Sequence, residues 1–452
     1  MQATQKLAQR IASSHFDTIP DNAKEVAKQA ILDFVGVTLA GIDEPLTRIL
    51  REEANDAGGR EQAQIIGAAE RFSTRQSALI NGSAGHAHDY DDVHGAMSGH
   101  PTVPVAPAAL ALTEHLDRSG RDLITAFATG VDAECILGRY AGPAHYAAGW
   151  HNTGTLGSFG AAAASARLLQ LDAQATSHAL GIAGTQAAGL KCQFGTMCKP
   201  LHAGQAAATG LSAADLAGRG FTSCDGILET AQGFMATQSS SASEERFEQA
   251  LQNHAFTQDI CFKYHAACYL THSAIEATLQ LCQQNDFAPN DIDAVEVRVD
   301  KGHFSVCNIQ EPSTGLELKF SLRATTAMAL GGFDTSDIGL YDDALARDPV
   351  LLRFREKVRV IAHDQHNPES IVTIRTQDGS EFSAAMNVAI PLRDLPAQWR
   401  KLEAKFRTLA TPKLGAQAAA EVIRLCRALE TQEHVRSLCR LLAPQENLES
   451  VQ

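Results

Sequence analysis

Residues 157–171 read GSFGAAAASARLLQL and residues 201–218 read LHAGQAAATGLSAADLAG, and neither holds a β-branched run long enough for a strand. Small residues at this density let helix backbones approach closely, so the chain from Pro104 to about Leu216 reads as the interior of a large helical domain. The same grammar extends to the N-terminus. Ala27 to Leu39, AKQAILDFVGVTL, has apolar residues three and four apart behind a proline at a helix start, and the first eighty residues read as helices. After about residue 255 the pattern changes. Ala294 to Val299 alternates, Val358 to Ile361 is β-prone, and Ile371 to Thr376 leads into Asp378-Gly379, a hairpin turn signal, then Glu381-Phe382. Helical pieces at Thr271 to Gln284 and Leu318 to Leu330 lie among these strands, and helices return over Leu395 to Leu409 and Gln417 to Leu442. The expected fold is mainly α: an all-helical domain of residues 1–260 and 393–452, with a smaller α+β lid domain, residues 261–392, inserted before the C-terminal helices.

Composition narrows the function. The chain has 452 residues, and 38 Lys+Arg against 52 Asp+Glu leave a formal charge of −14, which argues against a surface that tracks nucleic-acid phosphates. With 44% apolar and 20% charged residues the chain is globular. The longest apolar run, Val103 to Leu112, contains two prolines and is too short to span a membrane. The first residues lack a signal-peptide core, so a soluble, cytoplasmic protein is expected. Ten cysteines form no CxxC pair, and the spacings Cys192–Cys198 and Cys261–Cys268 do not suit a zinc knuckle; buried, reduced thiols are expected.

Four polar clusters interrupt the apolar pattern. The densest is His86-Ala-His88-Asp89-Tyr90-Asp91-Asp92-Val93-His94 with His100-Pro101, which places seven His or Asp side chains within fifteen positions. A metal site, an acid/base site and a structural network of caps all fit these residue types, with Asp91 and Asp92 read as caps or structural partners. The second cluster runs from Gly138-Arg139-Tyr140 through His145-Tyr146 to Gly149-Trp150-His151-Asn152-Thr153-Gly154, a glycine-punctuated loop entering a helix, where free N–H groups favour anions. The third, Cys198-Lys199-Pro200-Leu201-His202, puts Pro200 in a first helical turn and a lysine beside an apolar helix, an expensive placement unless it meets an anion. The fourth, Phe262 to His272, lies at the join of the helical and mixed segments, where ligand clefts tend to form, and offers His272, His265 and Cys268.

The H-x-x-DYDD-x-H…HP segment at 86–101, H-Y-x-x-GWH-x-TGT-x-G at 145–157, KPLH-x-G at 199–204, C-x-x-TH at 268–272 and KFSL at 319–322 together resemble the MmgE/PrpD family over nearly the whole chain. That family includes 2-methylcitrate dehydratase, cis-aconitate decarboxylase and iminodisuccinate epimerase. The resemblance implies a dimer of two-domain subunits, an active site between the domains, no cofactor and no required metal. It also implies a small polycarboxylate substrate and a carbanion or enolate formed beside a carboxylate, so fixed positive charge and a positioned base are needed.

By that resemblance Asp89, His100, His151 and Lys199 fall on active-site positions. His100, Tyr146 and Asp89 are the candidates for proton transfer, and Lys199, His202, His151, His272, Arg323 and Cys268 for substrate binding. Two positions depart from the decarboxylase, Val93 in place of a threonine and Cys268 in place of a histidine, and argue against direct cis-aconitate decarboxylation. The expected function is a cofactor-independent lyase dehydrating a hydroxylated di- or tricarboxylate, with an epimerase of a related acid second and a non-catalytic helical binding protein as the contrasting class. Histidines gathered around Lys199 are expected to be charged, so activity should fall as pH rises through the imidazole range.

Overall fold

Ala27 to Leu39 lies within a helix, Asp21–Gly41, that starts directly after Pro20, where a fixed φ and a missing N–H cost nothing. The computed structural model describes residues 2–252, 255–304 and 306–444. The chain is mainly α and divides into two compact units, Met1–Phe262 with Leu392–Gln452, and Lys263–Pro391.

In the first unit the two Ala/Gly-rich stretches form helices Asn152–Leu168 and Cys198–Gly218, which pack on each other and on Thr74–Gly85, Thr102–Leu116 and Gly120–Ala141. Nearly every residue of Asn152–Leu168 is buried, as expected of a helix apolar on all sides. Helices Cys198–Gly218 and Thr74–Gly85 cross at Gly204 and Gly82: a Cβ on Gly82 would lie 2.9 Å from Gly204 Cα, and one on Gly204 only 2.1 Å from the Leu79 carbonyl oxygen. This close approach brings the start of one helix beside the loop leaving the other. The C-terminal helix Leu395–Leu414 returns to pack on Asp21–Gly41.

The reading of the first eighty residues as all helical needs correction. Ala63–Gln64 and Arg71–Phe72 form a small antiparallel hairpin. Gly58, Gly59 and Gly67 all adopt positive φ, breaking the helical path, and the Gln64 side-chain amide donates to the Ile65 and Ala68 carbonyls across the turn.

The second unit holds a four-stranded sheet in the order Val358–Ala362, Ile292–Val299, Ser370–Thr376, Glu381–Met386; the first pair is parallel and the other two antiparallel. Gly379 takes φ +86° in the hairpin turn. Helix Tyr269–Gln284 packs on the last two strands. The helical piece expected at 318–330 is broken into Gly315–Lys319 and Leu322–Leu330, because Ser321 caps a new start by accepting the Ala324 N–H. Likewise 417–442 divides into Ala416–Arg427, a 3₁₀ turn and Arg436–Leu441.

Among the described residues no helix is long and apolar enough to cross a membrane. All ten cysteines are free thiols, and the expectation that they are buried fails for Cys192, Cys198 and Cys224, which are exposed in or beside loops.

Candidate active site

Helix Thr74–Gly85 ends at His86, and the chain then makes a tight loop whose polar side chains fold back on one another. His86 Nδ1 lies 2.9 and 3.0 Å from the two oxygens of Asp91. His100 Nδ1 lies 3.0 Å from Asp91 Oδ2 and 2.9 Å from the Asp92 carbonyl oxygen. A carboxylate and a carbonyl only accept, so both Nδ1 atoms carry the proton. Burial alone would raise the Asp91 carboxyl, but His100 and His86 outweigh it and hold it well below the usual carboxylate range. His86 is pushed down to about 4, chiefly by burial, and is therefore neutral near pH 7 with a bare Nε2 that has no hydrogen-bond partner among the described residues. His86 is 1% exposed, whereas His100 is half-buried and turns its Nε2 toward Asp89, 3.5 Å from Oδ1.

The start of helix Asn152–Leu168 fixes this loop from the other side. Thr153 Oγ1 accepts the His100 backbone N–H at 3.1 Å, and the Asn152 amide donates to the Met97 carbonyl at 2.6 Å. Asp89 sits at φ +54°, a left-handed conformation that asparagine and aspartate tolerate better than other side chains and that costs about 1 kcal/mol or more.

Lys199 reaches the same place from the first turn of Cys198–Gly218, with Pro200 behind it. Its Nζ lies 2.7 Å from Asp89 Oδ1, both side chains being partly exposed, so the lysine has an anionic partner as its position required. Further along that helix His202 Nδ1 meets His151 Nδ1 at 3.0 Å. One ring donates and the other accepts, so the pair supplies one free N–H and one free lone pair. Burial, reinforced by the positive charge of Lys199, drives both imidazoles down from their ordinary range. The expectation of charged histidines is thus overturned for His86, His151 and His202: desolvation keeps them neutral, and the fixed cation is Lys199.

The remaining candidates lie as follows. Tyr146, on the short helix Pro143–Ala147, is half-buried with the Lys191 ammonium 3.6 Å above its ring. Cys268, His272 and Arg323 belong to the second unit. Cys268 is the N-cap of Tyr269–Gln284, His272 donates from Nε2 to the Ala267 carbonyl at 3.1 Å, and Arg323 has a buried Nε without a hydrogen-bond partner among the described residues.

Other members of the first cluster hold structure. His94 donates to the Phe256 carbonyl and accepts the Ala96 N–H, and Asp92 accepts both the N–H and hydroxyl of Thr102 at a helix start. In sequence Asp91 groups with Asp92, and nothing there pairs His86 with Asp91. The five-residue spacing of His86 and Asp91 across a helix end pairs them only once the turn is known.

One donor atom from each of His86, Asp89, Asp91 and His100 lies within 4.8 Å of the others, so by residue type this group could hold a divalent cation. Its electrostatics favour another use. The His86 Nδ1–H is committed to Asp91 and the His100 Nδ1–H is shared between Asp91 and the Asp92 carbonyl, and Lys199 already sets a positive charge on Asp89. The arrangement offers an oriented imidazole nitrogen, an ammonium and a neutral histidine pair within one loop–helix junction, the inventory of proton transfer beside an anion.

Comparison with known proteins agrees with the motifs. Residues 5–246 match the MmgE/PrpD N-terminal domain and residues 265–431 the MmgE/PrpD C-terminal domain. The chain is 26% identical to a cis-aconitate decarboxylase of Mus musculus, covering 94% of this chain and 90% of that one. It is 26% identical to a cis-aconitate decarboxylase of Aspergillus terreus, with 92% and 90% covered. A cis-aconitate decarboxylase-like protein of Aspergillus oryzae is 31% identical over 59% of this chain and 58% of its own length.

Proposed function

The chain belongs to the MmgE/PrpD family, and from that premise we propose that it is a lyase of a small, hydroxylated tricarboxylate, 2-methylcitrate-like, from which it eliminates water. The observation that carries the reading is the pairing of two different proton-transfer groups at Asp89: the His100 imidazole, oriented by Asp91, and the Lys199 ammonium at 2.7 Å. Elimination of water needs a base for the proton beside the carboxylate and an acid for the departing hydroxide. In this reading His100 Nε2 is the base, being accessible where His86 is not. Lys199 balances the charge of the enolate and, with Asp89, delivers the proton to the leaving group. The His151–His202 pair donates its free N–H to a substrate carboxylate. The same premise makes a homodimer the proposed assembly.

Decarboxylation is the second reading, favoured by the names of relatives matching 92–94% of the chain. It also passes through a carbanion, formed by loss of carbon dioxide instead of a proton, but needs only one proton transfer, and Val93 and Cys268 weigh against it. Purified protein incubated in deuterated water with hydroxylated tricarboxylates and with cis-aconitate separates the cases. Alkene absorbance from a hydroxy acid without carbon dioxide is expected. Carbon dioxide released from cis-aconitate would replace dehydration by decarboxylation, and deuterium uptake with neither product would point to epimerisation.

A further inference from the structure

Tyr90 stands between the two carboxylates that organise the candidate site, Asp89 and Asp91, and is itself buried. Its backbone carbonyl accepts a hydrogen bond from Lys405 Nζ at 2.8 Å, and the same ammonium lies 3.9 Å from the centre of the Tyr90 ring. Lys405 comes from the C-terminal helix Leu395–Leu414, more than three hundred positions away in sequence, and is 6% exposed. Its charge is matched by Asp33 of helix Asp21–Gly41, 2.7 Å away and equally buried. Asp91 and Asp92 also act on it.

A buried ion pair placed only for stability is a poor bargain, because its attraction scarcely recovers the desolvation of two charges. Here the ammonium does something an apolar pair cannot: from one atom it fixes both the carbonyl and the ring of Tyr90. The peptide linking Tyr90 to Asp91 is thereby held in one orientation, next to an Asp89 already in a left-handed conformation, and the carboxylates on either side reach their histidines and Lys199.

We infer that Lys405, neutralised by Asp33, is a positioning residue that holds the Asp89–Asp91 loop in its working geometry. The inference deepens the proposed lyase reading and rests on it for its kinetic expression.

The test compares variants that separate charge balance from the hydrogen bond to Tyr90. Asp33→Asn keeps the bond, Lys405→Met removes it, and Lys405→Met with Asp33→Leu removes it while leaving no unpaired buried charge. Steady-state kinetics on the hydroxylated tricarboxylate, well below each variant's melting point, should show kcat within about threefold of wild type for Asp33→Asn. For both Lys405 variants kcat should fall at least about tenfold with KM little changed, even where the double variant regains Tm.

Downfield imidazole Nδ1–H resonances of the ¹⁵N-histidine-labelled protein report the same geometry without turnover. The His86 and His100 signals should survive in Asp33→Asn and vanish in the double variant. Recovery of kcat and of these resonances together with Tm in the double variant would overturn the inference and leave a purely structural ion pair. A wild-type protein inactive on every tricarboxylate would instead sink the lyase reading, with the resonances still deciding the role of Lys405.

Discussion

The residue that does most to define the candidate site is Asp91, because one carboxylate accepts Nδ1–H from His86 and, together with the Asp92 carbonyl, holds Nδ1–H of His100. Asp91→Asn keeps the shape but presents an amide that can accept from one ring only, so kcat should fall at least about a hundredfold while the fold persists. Charge state follows from the same geometry. With His86 at about 4 and His151 and His202 below their ordinary range, these rings are neutral at pH 7 and take up protons only on acidification. A second proton would force apart the His151–His202 pair. The kcat/KM profile should therefore fall on the acid side as these rings take up protons; a profile that instead declines on raising pH from about 6 to 8 would restore the charged-histidine clamp. Asp89, His100, His151, Lys199 and His202 were legible as residue types in clusters. What stayed hidden was the division of labour, since His94 and Asp92 look like His100 and Asp91 in sequence and differ only in what the turn sets beside them.

At the scale of elements, the site exists because Cys198–Gly218 and Thr74–Gly85 approach closely enough for Lys199 to meet a loop 110 positions earlier. Gly204 and Gly82 permit this. A side chain at Gly204 has no room between the Leu79 carbonyl and Ser83, whose Oγ would lie 2.2 Å from the new Cβ. Gly204→Val should cost about 1–3 kcal/mol of stability by prising the helices apart, lowering Tm. It should also lower kcat/KM about tenfold, because Lys199 rides on the displaced helix. Unchanged kinetics with a lowered Tm would show that the crossing matters for packing alone. The density of small residues announced close helix packing, yet nothing in composition tells a glycine at a crossing from one on a surface. The hairpin Ala63–Phe72 escaped for a related reason: it is two residues wide and specified by glycine turns rather than by alternation.

For the molecule as a whole, the net charge of −14 coexists with a site whose fixed cation is a single paired lysine, so overall charge says little about which ligand is bound. The switch from helical to mixed patterning after residue 255 was visible from periodicity alone, because buried helices and alternating strands use residues differently. Thiol exposure was not visible, since a cysteine carries no sign of its surroundings. In the native protein Cys192, Cys198 and Cys224 should react rapidly with a thiol reagent and Cys282 more slowly, leaving six protected until denaturation releases all ten. Rapid reaction of more than four would contradict the burial described.

The proposed chemistry requires Lys199 and His100 to act together at Asp89. The most direct test is turnover of a hydroxylated tricarboxylate by wild type, Lys199→Ala and His100→Ala, with folding checked by Tm. Each substitution is expected to lower kcat/KM by about 10³-fold. Turnover within tenfold of wild type in both variants would place the chemistry elsewhere in the chain.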